Sequence, residues 1–110
     1  MVAAVVALCA CVALAQAPLR VFEIGIAKRM VPQAERVLRA TEGERVELRW
    51  SADEPLVLHL HGYEIETRFE PGKPAVTAFA ARLTGRFAVE IHGEGRHRHN
   101  TLLHVEIYPR

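Results

Sequence analysis

The residues best suited to chemistry are the six histidines, all of which lie between positions 59 and 104. His59 and His61 alternate with Leu60 in a stretch that has strand character. Both imidazoles are therefore expected on one face of a strand, with their Cα atoms about 6 to 7 Å apart. Because metal–nitrogen bonds are about 2 Å long, two ring nitrogens at that spacing can bind one ion. The pair predicts a metal site.

A second group of histidines follows in a polar, glycine-rich segment that contains His92, His97 and His99. A loop of this kind can fold over the end of a sandwich and meet the first pair. Imidazole suits Cu(II), Cu(I) and Zn(II) alike, and spacing alone does not choose between them. We expect copper, with zinc as the second choice, and we predict four ligands: His59, His61, His92 and His97.

Each histidine also has a purely structural interpretation. Histidine that alternates on a half-exposed strand is often no more than polar surface. His97 and His99 alternate with Arg96 and Arg98, and the two guanidinium groups oppose the approach of a cation. His104 falls on the solvent side of the last predicted strand, where a surface role is expected. A domain without any bound metal therefore stays open as an alternative.

Catalytic motifs are not evident in the sequence. Both cysteines, Cys9 and Cys11, fall in the N-terminal apolar segment, and the single serine, Ser51, lies in a predicted turn without a Gly-x-Ser-x-Gly context. Neither a His-Glu-x-x-His motif nor a phosphate-binding glycine loop occurs. Glu64 and Glu66 alternate on one strand, but paired surface carboxylates are common. We therefore expect a binding protein and not an enzyme.

The N-terminus predicts export. Residues 2–14 form an uncharged apolar run, which is shorter than the roughly 20 residues needed to span a membrane. Its length and the small-x-small pattern Ala13-Leu14-Ala15 predict a signal peptide over residues 1–15. The mature domain, residues 16–110, is then periplasmic or secreted and lacks cysteine. A buried N-terminal element and lipidation of Cys11 are the two alternatives.

Charge limits the choice of partners. The 14 basic and 13 acidic residues are interspersed, so no footprint for nucleic acid or for an anionic membrane is expected. The predicted partners are a metal ion and, in the metal-free alternative, another periplasmic protein.

The mature part predicts short strands separated by turns. Apolar residues alternate with polar ones over 22–26 and 45–50, as in strands with one buried face. Residues 75–83 fit a helix or a strand, because alanine favours the first and Val76, Thr77 and Phe79 the second. About seven strands at regular spacing predict an all-β sandwich. The remaining strands are predicted at 36–40, from Leu56 to about Ile65, at 86–91 and at 101–108.

The sequence resembles a cupredoxin in three places: the stretch His59-Leu60-His61-Gly62-Tyr63, the strand at 85–92 and the histidine-bearing loop after that strand. The resemblance covers essentially the whole mature part and implies a Greek-key β-sandwich. It also implies His61 as the first copper histidine and His97 as the second. His-x-His-Gly is similar to the paired-histidine motif of multicopper oxidases, whose domains share this fold.

The sequence departs from the cupredoxin pattern at two ligands. The place of the copper-binding cysteine falls at Ile91 or His92, and Leu102 or Leu103 occupies the place of the axial methionine. Without a copper–thiolate bond, no blue-copper electron-transfer centre is expected. The resemblance then implies copper sequestration or delivery through histidines. The alternative is a metal-free interaction module or an accessory subunit of a periplasmic complex.

Overall fold

The computed structural model describes residues 17–92 and 100–110, and these residues form mostly β-strands. A short 3-10 turn, Gln33–Glu35, is the one helical element within these two ranges. In the same part of the chain, no helix has the length and apolar character needed to cross a membrane. The predicted signal peptide and the predicted ligand His97 lie outside the residues that the structure describes. The strands are β1 (Leu19–Ile26), β2 (Val37–Thr41), β3 (Arg45–Ala52), β4 (Val57–Leu60), β5 (Ile65–Arg68), β6 (Ala75–Ala80), β7 (Gly85–Ile91) and β8 (Asn100–Tyr108).

The eight strands form two sheets. One has three strands in the order β1-β3-β6, and the other has five in the order β2-β8-β7-β4-β5. β1 runs parallel to β3 and β2 parallel to β8, whereas the other neighbours are antiparallel. The chain passes from one sheet to the other after β1, β2, β3, β5 and β6. The predicted all-β sandwich is confirmed, with eight strands where about seven were expected.

Alternation along the strands builds the core between the sheets. Leu48 and Trp50 of β3 are buried, and so are Leu58 and Leu60 of β4. Burial of such a side chain stabilises the fold by about 1.5 to 3 kcal/mol, and a one-residue slip would send all of them to the wrong face. His59, between two buried leucines, must therefore face away from the core.

The prediction of one long strand from Leu56 to about Ile65 is wrong. It is a hairpin, in which β4 and β5 are antiparallel and Leu60 pairs with Ile65. Gly62 and Glu64 have φ angles of 86° and 56°, and this positive-φ region reverses the chain within residues 61–64. Consequently, the residues after the turn return alongside His59.

Residues 75–80 form strand β6, which resolves the helix–strand ambiguity. Register with β3 places Thr77 opposite Leu48, where the threonine is 4% exposed. The Thr77 hydroxyl accepts a hydrogen bond from Trp50 Nε1 at 2.9 Å and lies 2.6 Å from the hydroxyl of Thr67 on the opposite sheet. The packing between the sheets thus outweighs the helical preference of alanine.

Candidate metal centre

Three of the four predicted ligands lie together on the outer face of the five-stranded sheet. His59 is in β4, His61 directly follows it, and His92 follows β7. The ring centroid of His59 lies 4.3 Å from that of His61 and 5.4 Å from that of His92. The fourth predicted ligand, His97, is outside the described residues, as is His99, so neither can be placed in the cluster.

Backbone hydrogen bonds fix the positions of the two flanking histidines. The amide of His61 donates to the Ala88 carbonyl at 2.9 Å, and the amide of His92 donates to the Val57 carbonyl at 2.8 Å. Both bonds extend the pairing of β4 with β7 beyond the strand ends. Hydrogen bonds to neighbouring strands therefore hold the backbone of His61 and His92 against the sheet that contains His59.

Each of these histidines has a glutamate beside it. Glu64 Oε2 lies 3.1 Å from His59 Nε2, and Glu90 Oε1 lies 2.5 Å from His61 Nε2. The third contact is longer, with 3.7 Å between His92 Nδ1 and Oε1 of Glu66. In the pairing of the strands, Glu66 and Glu90 are the two cross-strand partners of His59.

The sequence alone did not identify these carboxylates as part of a site. In the sequence, Glu64 and Glu66 are only a pair of alternating carboxylates of a common kind, and no motif includes Glu90. Glu90 alternates with the buried Val89 and Ile91, which places it on the outer face of β7. That signal becomes informative only when β7 is known to pair with β4.

His59, His61 and Glu64 form the most compact group of potential metal ligands in the described part of the chain. Each supplies one donor atom, and the three donor atoms lie within 4.8 Å of one another. Nδ1 of His59 lies 3.4 Å from Nε2 of His61. Two donors bound to one tetrahedral ion through bonds of about 2.0 to 2.1 Å are about 3.3 Å apart, so this spacing fits a shared ion.

Burial varies strongly within the cluster. The side chains of Glu90 and His59 are 12% and 18% exposed, whereas those of His61 and Glu64 are 44% and 68% exposed. The inner two are confined by neighbouring strands, and the outer two remain accessible to solvent. An ion at this place would be held from the sheet side and could still exchange with solution.

The turn that joins β4 to β5 is anchored by Tyr63. Its hydroxyl donates to the Leu83 carbonyl at 2.8 Å and accepts from the Leu83 amide at 3.0 Å. Its ring packs against Phe79 and Phe87, with centroid distances of 4.5 and 5.0 Å. These contacts hold the turn, which contains His61 and Glu64, against the sheet.

His104 lies apart from the cluster, on β8, as expected for a surface role. Its Nδ1 is 3.4 Å from a guanidinium nitrogen of Arg86. Burial, and after it the positive charge of Arg86, lowers the pKa of His104, although Glu106 and Glu90 act in the opposite direction. A histidine in this position serves as a control for the cluster.

Similarity to known proteins is evident in three dimensions only. No protein-family model matches the chain, and no curated protein matches its sequence. The first structural neighbour is a chain of a heme-copper terminal oxidase dimer, with a TM-score of 0.67 and 13% identity over 84% of this chain and 66% of that one. A copper binding protein in its apo form gives a TM-score of 0.63 with 6% identity, over 81% of this chain and 87% of that one.

A third neighbour is the periplasmic domain of subunit II of cytochrome oxidase (CoxB) of Bradyrhizobium japonicum. It superposes with a TM-score of 0.61 and 10% identity over 81% of this chain and 83% of that one. The fold is that of a cupredoxin. This confirms the fold implied by the sequence resemblance. The chain described here spans 66% of the length of the heme-copper oxidase chain.

The cupredoxin fold lacks its usual sulfur ligands here. Ile91, at one of the two places that correspond to the copper-binding cysteine, is 4% exposed and belongs to the core. His92, at the other, is exposed beside Glu66. Leu102 and Leu103, near the place of the axial methionine, are buried. The donors that this surface offers are nitrogen and oxygen.

Proposed function

We propose that this cupredoxin-fold domain binds copper, or secondarily zinc, through the imidazoles of His59 and His61. The observation that carries the proposal is the group formed by these histidines and Glu64, whose donor atoms lie within 4.8 Å of one another. His92 contributes from the rim of the cluster, and His97 is retained as a predicted ligand. The role is sequestration or delivery of the ion without catalysis.

Two of the structural neighbours support this proposal. One is a copper binding protein with the same fold. The other is a periplasmic domain of cytochrome oxidase, which is in keeping with the export predicted from residues 1–15. Since sulfur donors are absent from residues 31–110, a bound copper ion should lack the intense colour of a copper–thiolate centre.

The test is metal binding by the purified protein and by two variants. Cu(II) and Zn(II) are titrated separately, and the bound ion is counted by elemental analysis after desalting. We expect one ion per chain for the wild type and at least about 100-fold weaker binding for His59→Ala/His61→Ala, because removal of a pair of ligands leaves too few donors. His104→Ala, which lies outside the cluster, should bind as the wild type does.

Folding must be checked alongside, and a cooperative thermal transition in the double variant provides that control. Undiminished binding by a folded double variant would show that these histidines are not the ligands. Failure of the wild type to bind either ion at micromolar concentration would rule out the proposed function.

A metal-free interaction module is the second candidate, and the contacts between histidines and glutamates in the cluster favour it. Glu64 and Glu90 already lie within hydrogen-bond distance of His59 and His61, so both histidines are satisfied without an ion. The neighbour that is a subunit domain of cytochrome oxidase is compatible with a role in a complex. Under this alternative, the purified wild type contains no metal and takes up none.

A further inference from the structure

Glu64 supports a more specific inference, which rests on the proposed function. We infer that its carboxylate is the third ligand of the site and selects divalent ions over Cu(I). A carboxylate oxygen is a hard donor that suits divalent ions such as Zn(II) and Cu(II), whereas Cu(I) favours soft sulfur donors. Two imidazoles alone accept all three ions, so the carboxylate determines the selectivity.

The position of the carboxylate fits direct ligation. Its Oε2 atom lies 3.1 Å from Nε2 of His59, whereas Nε2 of His61 lies 3.4 Å from the other ring nitrogen of His59, Nδ1. An ion bound to all three residues uses one of these two nitrogens, so a side chain must rotate before the donors reach the separation of about 3.3 Å that a tetrahedral ion requires. Glu64 also belongs to the compact group in which the donor atoms of both imidazoles lie within 4.8 Å.

The turn holds this carboxylate in place. The amide of Gly62 donates to Glu64 Oε1 at 3.1 Å, while the other oxygen faces His59. Glu64 has a φ angle of 56°, a conformation that residues with a side chain adopt infrequently. Such conformations occur where the surrounding structure imposes them, often at ligand sites. Here the conformation turns the carboxylate back toward β4.

The exposure of Glu64 supports a role at the entrance of the site. Its side chain is 68% exposed, whereas that of His59 is 18% exposed. An incoming divalent ion therefore meets the carboxylate before it reaches the inner imidazole. Glu70, which follows β5, is similarly exposed at 71%, but its carboxylate lies 3.1 Å from Nζ of Lys73 and outside the compact group. It is the matched control.

The experiment measures Zn(II), Cu(II) and Cu(I) affinities of the full chain by competition with chromophoric chelators, with anaerobic conditions for Cu(I). Glu64→Gln removes the charge and keeps an oxygen that can accept from Gly62. We expect its affinity for Zn(II) and Cu(II) to fall at least about 10-fold, because loss of even an outer-shell partner of a metal ligand weakens binding by about 10- to 100-fold. Its Cu(I) affinity should stay within about threefold of the wild type.

Two further variants separate ligation from folding. Glu64→Gly also removes the carboxylate, but glycine adopts positive φ readily, so the melting temperature should be unchanged or higher while divalent binding falls. Glu70→Gln should leave all three affinities unchanged. Equal binding by the Glu64 and Glu70 variants, or an equal loss for Cu(I), would overturn the inference. A wild type that binds none of the ions would instead overturn the proposed function.

Discussion

Gly62 lies directly against the ring of Phe87, so closely that a Cβ atom at position 62 would overlap it, with only 2.6 Å to Cε1. The glycine combines this contact with a φ angle of 86°. The turn between β4 and β5 therefore depends on glycine for two separate reasons, conformation and space. Because His61 and Glu64 flank this glycine, the same contact positions the cluster.

Gly62→Ala is expected to destabilise the fold by about 2 to 4 kcal/mol, since it combines positive-φ strain with overpacking. Gly72→Ala is the matched control, because Gly72 has a φ angle of 73° but no atom within 4 Å of its hypothetical Cβ. That variant should lose only about 1 to 2 kcal/mol, the conformational contribution. Chemical denaturation of both variants measures the difference, and equal losses would contradict the steric argument.

The face of the histidine pair was predictable from local sequence. His59 stands between Leu58 and Leu60, which are 1% and 2% exposed, and side chains alternate along a strand. This prediction succeeded because it depends on a period of two and on burial, both of which are local properties.

The glutamates needed information that is not local. Glu90 approaches His61 because β7 pairs with β4, and nothing near either residue specifies that pairing. Glu64 approaches His59 because the chain turns at Gly62, where a continuous strand was predicted. Long-range pairing and a tight turn thus determine the donor set, while His97 remains a prediction because it lies outside the described residues.

The hydroxyl of Thr77 connects the two sheets through buried hydrogen bonds. It accepts from Trp50 Nε1 at 2.9 Å and lies 2.6 Å from Oγ1 of Thr67. We expect Thr77→Val to destabilise the protein by about 1 to 3 kcal/mol, because a buried donor then loses its partner. Thr77→Ser keeps the hydroxyl and should lose less, about 1 kcal/mol, from the missing methyl group. Urea denaturation distinguishes the two, and a larger loss in the serine variant would argue against the hydrogen bonds.

The lowered pKa of the Glu44 carboxyl makes the stability of the fold depend on pH. Burial raises the pKa of its carboxyl, but a hydrogen bond from the Thr41 amide at 2.6 Å and the Arg20 guanidinium at 3.1 Å outweigh burial. The pKa therefore lies below its ordinary value of 4.5. Because the unfolded chain binds this proton more readily, the stabilisation is complete above that value and is lost as the pH falls through the folded-state pKa.

Glu44→Gln should therefore destabilise the protein by about 1 to 2 kcal/mol at neutral pH, where the charged hydrogen bonds are intact. The difference from the wild type should shrink toward pH 3. The control is Glu23→Gln, since Glu23 is 78% exposed and 3.8 Å from Arg49, and its effect should stay below about 0.5 kcal/mol. Urea denaturation at several pH values tests this, and a constant difference for Glu44→Gln would contradict the linkage.

Metal binding and fold stability must be linked if the cluster of His59, His61 and Glu64 holds an ion. An ion that binds only the folded chain stabilises it by about 2.7 kcal/mol at a free concentration of 100 times Kd. For a domain of this size, that corresponds to a rise of roughly 10 to 20 °C in melting temperature. Because imidazole must be deprotonated to bind a metal, the rise should diminish in acid.

Differential scanning calorimetry with and without Zn(II) measures this effect at about pH 7.5 and about pH 5. These two pH values span the interval in which histidine ordinarily titrates. His59→Ala/His61→Ala should show no rise at either pH, and His104→Ala should behave as the wild type. A chelator added to the loaded wild type should return the melting temperature to its metal-free value. An equal rise in the double variant would place the ion elsewhere on the protein, since the stabilisation would then not depend on the paired imidazoles.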